Sequence, residues 1–202
     1  MTSRQRWNHN IHYHPLILDA LPTDCRTALD VGCGEGILAG ELGEVVDRVT
    51  GIDLDGPSIE VARREAESDN VEYLVGDFLS YDFNGATFDA VVSNTALHHM
   101  DAAAALARMH ELLRPGGVLA IVGWARSKYP ADLPADLAGT LATRVHRATK
   151  GFWEHSAPVV WTPPDTYRET RRLAEHLLPG VRYRRHLLWR YSLIWSKRPE
   201  AP

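Results

Sequence analysis

LDVGCGEG, residues 29–36, decides how the rest of the chain is read. It joins the apolar run RTALDV (26–31) to a helical pattern in which Ile37, Leu38, Leu42, Val45 and Val46 fall on one buried face. Glycines at 32, 34 and 36 let the backbone turn tightly from strand into helix and admit a ligand close to the main chain. Open α/β sheets bind ligands at the carboxyl ends of their strands, so a nucleotide cofactor is expected at this turn. The alternative is a tight turn with no ligand. The dinucleotide pattern G-x-G-x-x-G asks for glycine at 37, where the chain has Ile37. Asp30 ends the strand instead. A carboxylate facing the turn is awkward beside a pyrophosphate and suits a cofactor with a cationic ammonium or sulfonium group.

Outward from this turn the chain alternates. RVTGID (48–53) reads as a strand, and GPSIEVARREAESDN (56–70) as an amphipathic helix with Pro57 near its first turn. VEYLVGD (71–77) and FDAVVS (88–93) are further strands, the latter nearly all apolar as a strand covered on both faces should be. Asp101 caps an alanine-rich helix over 102–113, stopped by Arg114-Pro115-Gly116-Gly117, and VLAIVGW (118–124) is a fifth strand. Residues 125–164 break the rhythm with one helix near 134–148, five prolines, and Trp153 and Trp161. A helix near 165–178 follows, then RYRRHLLW (182–189) and YSLIWSK (191–197), whose connection is too short for anything but an antiparallel pair. The expected fold is α/β: a doubly wound parallel sheet of seven strands, the last antiparallel, with a lid inserted after the fifth. Four parts of one domain are expected: an N-terminal cap segment (1–25), a cofactor-binding core (26–124), the lid (125–164), and a closing helix and hairpin (165–202).

Bulk properties agree with a single globular domain. Of 202 residues, 45% are hydrophobic and 24% charged, which argues against disorder. No apolar run reaches the roughly 18 residues of a membrane span, MTSRQRWNHN has no apolar leader stretch, and two cysteines make no disulfide framework. The cytoplasm is the expected location. Net charge is −4, but residues 1–120 carry 8 basic against 19 acidic side chains and residues 121–202 carry 14 against 7. That asymmetry is either an ordinary solvated face or the mark of an anionic partner for the C-terminal part.

LDVGCGEG, GIDLD, VGDF, FDAVVSNTALHHM and LLRPGG, in this order, resemble the class I S-adenosylmethionine-dependent methyltransferases, over residues 26–124 closely and in the final hairpin by topology. The resemblance implies S-adenosylmethionine (SAM) as cofactor and methyl transfer as the activity. It places Gly32 and Gly34 along the methionine part, with Asp30 orienting that turn. Asp53 would accept hydrogen bonds from both ribose hydroxyls, and Leu54 would pack on the adenine. Asp77 would accept from the adenine amino group, with Phe78 covering the ring, and Ser93 and Asn94 would face the sulfonium. Asp53 and Asp77 could instead cap the turns that follow them; Asp55 reads as a helix cap and Cys33 as a small packing residue.

The acceptor side is less legible. His98 and His99 lie just past the fourth strand, and His155 lies in the lid; each is a candidate general base. His98 and His99 could equally serve a structural helix entry. His9, His12 and His14 have no cysteine or acid close by and are not read as a metal site. An N-terminal segment folding over the cofactor, with Tyr13 or His12 reaching its carboxylate, is the expectation there. Trp153 would wall the acceptor pocket, or else cover the sheet edge. Arg190 would hold an anionic group on a small-molecule acceptor, or else form a salt bridge to the acidic half. A nicotinamide-dependent oxidoreductase is the rival enzyme, an RNA-directed methyltransferase a second, and a SAM-binding protein without transfer activity a third. No RNP-type motif or separate RNA-binding domain is present.

Overall fold

The computed structural model describes residues 7–150, 152–153 and 163–199. Seven strands form one sheet in the order β3-β2-β1-β4-β5-β7-β6. They are β1 (Thr27–Val31), β2 (Arg48–Asp53), β3 (Val71–Val75), β4 (Phe88–Asn94), β5 (Leu113–Gly123), β6 (Arg182–His186) and β7 (Arg190–Ser196). β1 to β5 run parallel, and β7 lies antiparallel between β5 and β6. The helices are α1 (His14–Leu18), α2 (Ile37–Gly43), α3 (Gly56–Glu65), α4 (Ala102–Leu112), α5 (Leu133–Lys150) and α6 (Tyr167–Leu177).

The central strands are apolar on both faces because each face has its own core. Leu29 and Val31 of β1, Val91 of β4 and Leu119 and Ile121 of β5 join one cluster with α4 and α6. Ala28, Ala90, Val92, Ala120 and Val122, one position out of phase, join the other with α2, α3 and the N-terminal segment. Side chains alternate across a strand, so this partition requires apolar residues at consecutive positions. Helix starts follow their caps. Asp55 accepts from the Ser58 N–H at 3.1 Å, Asp101 from the Ala104 N–H at 2.8 Å, and Thr166 with Glu169 closes a reciprocal capping box on α6.

Several boundaries differ from expectation: α3 stops at Glu65 and not at 70, and β3 at Val75 and not at 77. Leu113 to Gly117 stop α4 but belong to β5, with Leu113 opposite Phe88 and an irregular step before Ala90 meets Val118. The hairpin strands close over residues 187–189, so Arg190 is the first residue of β7 and not the linker between strands. Leu188 and Trp189 there adopt φ of 57° and 54°, a left-handed conformation unusual for bulky side chains.

Candidate active site

The carboxyl edge of the sheet collects the ends of β1, β2 and β4 and the start of β7. At β1, Gly32, Gly34 and Gly36 take φ of 73°, 52° and 78°, so the turn needs all three glycines. A Cβ on Gly32 would lie 2.1 Å from Cβ of Ala96, whereas one on Gly34 would meet nothing within 4 Å. Gly34 therefore faces open space, the cradle a ligand would enter. The Asp53 carboxylate at the end of β2 accepts from the Gly34 N–H at 2.8 Å and from the Asp55 N–H at 2.9 Å. One bond per oxygen leaves lone pairs on both for ligand hydroxyls. Leu54, beside it, is 73% exposed, an apolar side chain left uncovered at the cleft.

Asp30 is the most telling residue. Its carboxyl group is buried and neither oxygen has a hydrogen-bond partner. Burial, with the nearby Asp53 and Glu41 carboxylates adding repulsion and the Ala39 backbone N–H opposing, pushes its pKa up to about 8. An orphaned acid at this turn is what a bound cation would satisfy, and the ammonium of a sulfonium amino acid fits it.

Other residues are placed differently from expectation. Ser93 is fully buried, its hydroxyl donating to the Val31 carbonyl at 2.8 Å, so it ties β4 to β1 and does not face a sulfonium. Phe78 packs into the core beside Phe83 with Arg108 over its ring, which leaves little of it for an adenine. Asp77 is exposed and accepts from the Leu79 N–H at 3.0 Å and the Ser80 hydroxyl at 3.3 Å, so it also shapes its own turn. Asp55 caps α3, and Cys33 is buried, with burial first and Asp30 second pushing its thiol well above the usual range.

The N-terminal segment does cross this edge, but through Asn10. Tyr13 spends its hydroxyl proton on the Leu187 carbonyl at 2.5 Å and has none left for a cofactor carboxylate, while His12 Nδ1 accepts from Trp7 Nε1 at 3.4 Å. Asn10 instead takes Asn94 Nδ2 on its carbonyl at 3.2 Å, and Thr95 Oγ1 and Arg190 Nη2 on its side-chain oxygen at 3.1 and 2.6 Å. Sequence reasoning missed Asn10 and Thr95; a lone asparagine in an irregular segment carries no signal of its own. Among the described residues no three His, Cys, Asp or Glu side chains converge as metal ligands.

His98 lines a small cavity with Leu97, Trp124, Asp165, Thr170 and Tyr191. Its Nδ1 is buried without a partner, and burial, then His99 and Arg190, push its pKa down to about 4. His99 is exposed; burial of part of its ring lowers its pKa while Asp53 opposes the shift. Trp153 is half-buried, its backbone N–H donating to the Trp7 carbonyl at 2.9 Å. His155 and Trp161 lie outside the described residues. Arg190 is buried and meets no carboxylate among the described residues, so the expected alternative of a salt bridge to the acidic half does not form.

A sheet of order 3-2-1-4-5-7-6 with an acidic glycine turn on β1 and a carboxylate ending β2 defines a nucleotide-cofactor α/β enzyme. A family model for the methyltransferase domain matches residues 29–121. An uncharacterised methyltransferase of Mycobacterium tuberculosis is 40% identical over 192 residues, which covers 95% of this chain and 97% of the relative. The SAM-bound amino pentose methyltransferase of Micromonospora echinaspora aligns over 64% of this chain and 55% of its own, at 31% identity and a TM-score of 0.51. The N-methyltransferase NodS of Bradyrhizobium japonicum, with S-adenosylhomocysteine (SAH) bound, shares the fold over 95% of this chain and 88% of its own, at a TM-score of 0.62 and 15% identity. The chain belongs to the class I SAM-dependent methyltransferases, and it is an enzyme of that family. The oxidoreductase reading falls with this, as Ile37 foretold. No helix among the described residues is long and apolar enough to cross a membrane.

Proposed function

We propose that the chain transfers the methyl group of SAM to a small-molecule acceptor bearing an anionic group, and that Asp30, Gly32, Gly34, Asp53, Leu54 and Asp77 hold the cofactor. The orphaned carboxyl group of Asp30, beside the open face of Gly34, carries this reading. Bound SAM supplies an electrophilic methyl on a sulfonium. The protein's part is alignment, since an in-line displacement with a neutral leaving group is accelerated mainly by positioning. Asp30 faces the cation, Asp53 and Asp77 accept from hydroxyl and amino donors, and Asn94, braced by Asn10, sits at the acceptor end. The unpaired guanidinium of Arg190 supports the anionic group. One partial relative is consistent with a small acceptor: a 39% identical segment covering 48% of this chain occurs in a ubiquinone biosynthesis O-methyltransferase of Methylocella silvestris, whose own length is covered to 40%.

Proton release tests the role of Asp30. With its pKa near 8 the free protein holds this proton at pH 7, and a cation alongside makes it ionise. SAH binding at pH 6–7 should therefore release up to about one proton, read as a dependence of calorimetric enthalpy on buffer ionisation heat, and release should fade above about pH 9. Asp30→Asn should abolish it. Wild-type binding with no proton release would remove Asp30 from contact with the ligand.

His98 is our candidate base where the acceptor must lose a proton. A ring with pKa near 4 is neutral at physiological pH and has an unpartnered Nδ1. The acid limb of kcat/KM should then fall near pH 4 and not near 6.5, and His98→Asn should cost roughly 10²–10⁴-fold in kcat. An ordinary histidine limb that persists in His98→Asn assigns the base elsewhere. Trp153 we place at the acceptor wall. Trp153→Ala should reduce acceptor turnover at nearly constant SAH affinity and melting temperature; a stability loss of about 3–5 kcal/mol would mark it as core instead.

A further inference from the structure

Arg190 is a buried cation whose partners are all neutral. A guanidinium has five N–H donors. Nη1 gives its two to the carbonyls of Leu188 and Trp189, both at 3.2 Å, and Nη2 gives one to Asn10 Oδ1 at 2.6 Å. Two donors remain, and one of them, Nε–H, is buried with no acceptor. The bonds that exist hold the guanidinium in place, because they come from three sides: the left-handed turn before β7, the N-terminal segment, and through Asn10 the end of β4. Burial lowers the Arg190 pKa to about 10, with Tyr167 and Tyr13 opposing. Burying a charge without a counter-charge is costly, and a fixed guanidinium with spare donors is the usual recognition element for a planar two-oxygen anion.

Position separates two sources of such an anion. Asp30, Asp53 and Asp77 sit on or beside β1, β2 and β3, whereas Arg190 begins β7, three strands from β1 in the sheet order. At about 4.8 Å per strand the Arg190 backbone lies roughly 14 Å from β1, and its guanidinium reaches back to the end of β4, where Asn10 Oδ1 accepts from both Arg190 Nη2 and Thr95 Oγ1. Two further orphaned polar atoms lie on residues within electrostatic reach of Arg190: His98 Nδ1 and the Tyr167 hydroxyl.

We infer that Arg190, fixed by Asn10 and the Leu188-Trp189 turn, is a built carboxylate-binding site for the methyl acceptor, so that the acceptor is a small carboxylic acid. A single net positive charge with two free donors matches a monoanionic carboxylate better than a dianionic phosphate. This rests on the methyl-transfer reading of the same cleft and names the acceptor's class.

The test uses the full chain saturated with SAH and ligand-observed NMR titration with benzoate, 4-hydroxybenzoate and glycine, with benzamide as the uncharged control. At least one carboxylate should bind, at least tenfold more tightly than benzamide. Arg190→Lys should weaken that carboxylate about tenfold or more while SAH affinity stays within about twofold. Asn10→Asp, which places a carboxylate on the same guanidinium, should abolish carboxylate binding and hold or raise the melting temperature. It also settles the matter if Arg190→Lys fails to fold. Failure of every carboxylate to bind, equal binding of benzamide, or unchanged binding in Asn10→Asp overturns the proposal. Loss of SAH affinity in Arg190→Lys, with 5′-methylthioadenosine affinity unchanged, also overturns it by assigning the carboxylate to the cofactor. Failure of the wild-type chain to bind SAH would instead strike the cofactor reading itself.

Discussion

Asp53→Ala should weaken SAH binding by about 2–3 kcal/mol, or roughly 30- to 150-fold. Two ligand hydroxyls would lose bonds to a charged acceptor; such bonds contribute about 1.5–3 kcal/mol each and their losses do not add. A second effect runs in the same direction. Asp53 also accepts from the Gly34 N–H at 2.8 Å and so stitches the end of β2 to the glycine turn. Removing the carboxylate frees the turn as well as the ligand's donors. Asp53→Asn separates the two, since its amide oxygen can keep one acceptor bond but carries no charge; an intermediate loss is expected. Calorimetry with unchanged affinity in Asp53→Ala would take this residue out of the site.

Gly32→Ala should damage the fold itself. At φ of 73° an alanine carries about 1–2 kcal/mol of left-handed strain. Its methyl would also stand 2.1 Å from Ala96 Cβ, and relief of such overpacking costs about 1–3 kcal/mol more. The total of roughly 2–5 kcal/mol should lower the melting temperature by about 5–20 °C for a chain of this size. Gly34→Ala is the informative contrast. It has the strain without the collision, so stability should fall by only about 1–2 kcal/mol while SAH affinity collapses, because the methyl projects into the open space of the cradle. Thermal melts showing equal losses for the two variants would contradict this division between a glycine packed against Ala96 and one that faces open space.

The sequence by itself determined the order and type of the elements from β1 onward, the two-faced apolar strands and the glycine turn. These follow from local rules: residue period, capping chemistry and the conformational freedom of glycine. It also determined the carboxylates near the end of β1 and at the end of β2, since the closing residues of a parallel strand must lie at the sheet edge. Boundaries set by long-range pairing were beyond it. Leu113 to Gly117 look like a helix stop, and only the pairing of Leu113 with Phe88 makes them strand. Leu188 and Trp189 have no turn signature, since left-handed pairs in hairpins favour Asn-Gly. They hold because Arg190 and Tyr13 bind the carbonyls of that turn. Side-chain roles at the cleft divided in the same way. Ser93, Phe78 and Tyr13 sit at the expected chain positions, yet their polar or aromatic groups are spent on the Val31 carbonyl, the core and the Leu187 carbonyl. Whether a polar group at a strand end serves a ligand depends on what else stands within about 3 Å of it, and that neighbour comes from elsewhere in the chain. The same physics leaves Asp30 with a buried, unpartnered carboxyl group and Arg190 with a buried charge that meets no carboxylate among the described residues, which only the assembled structure could reveal.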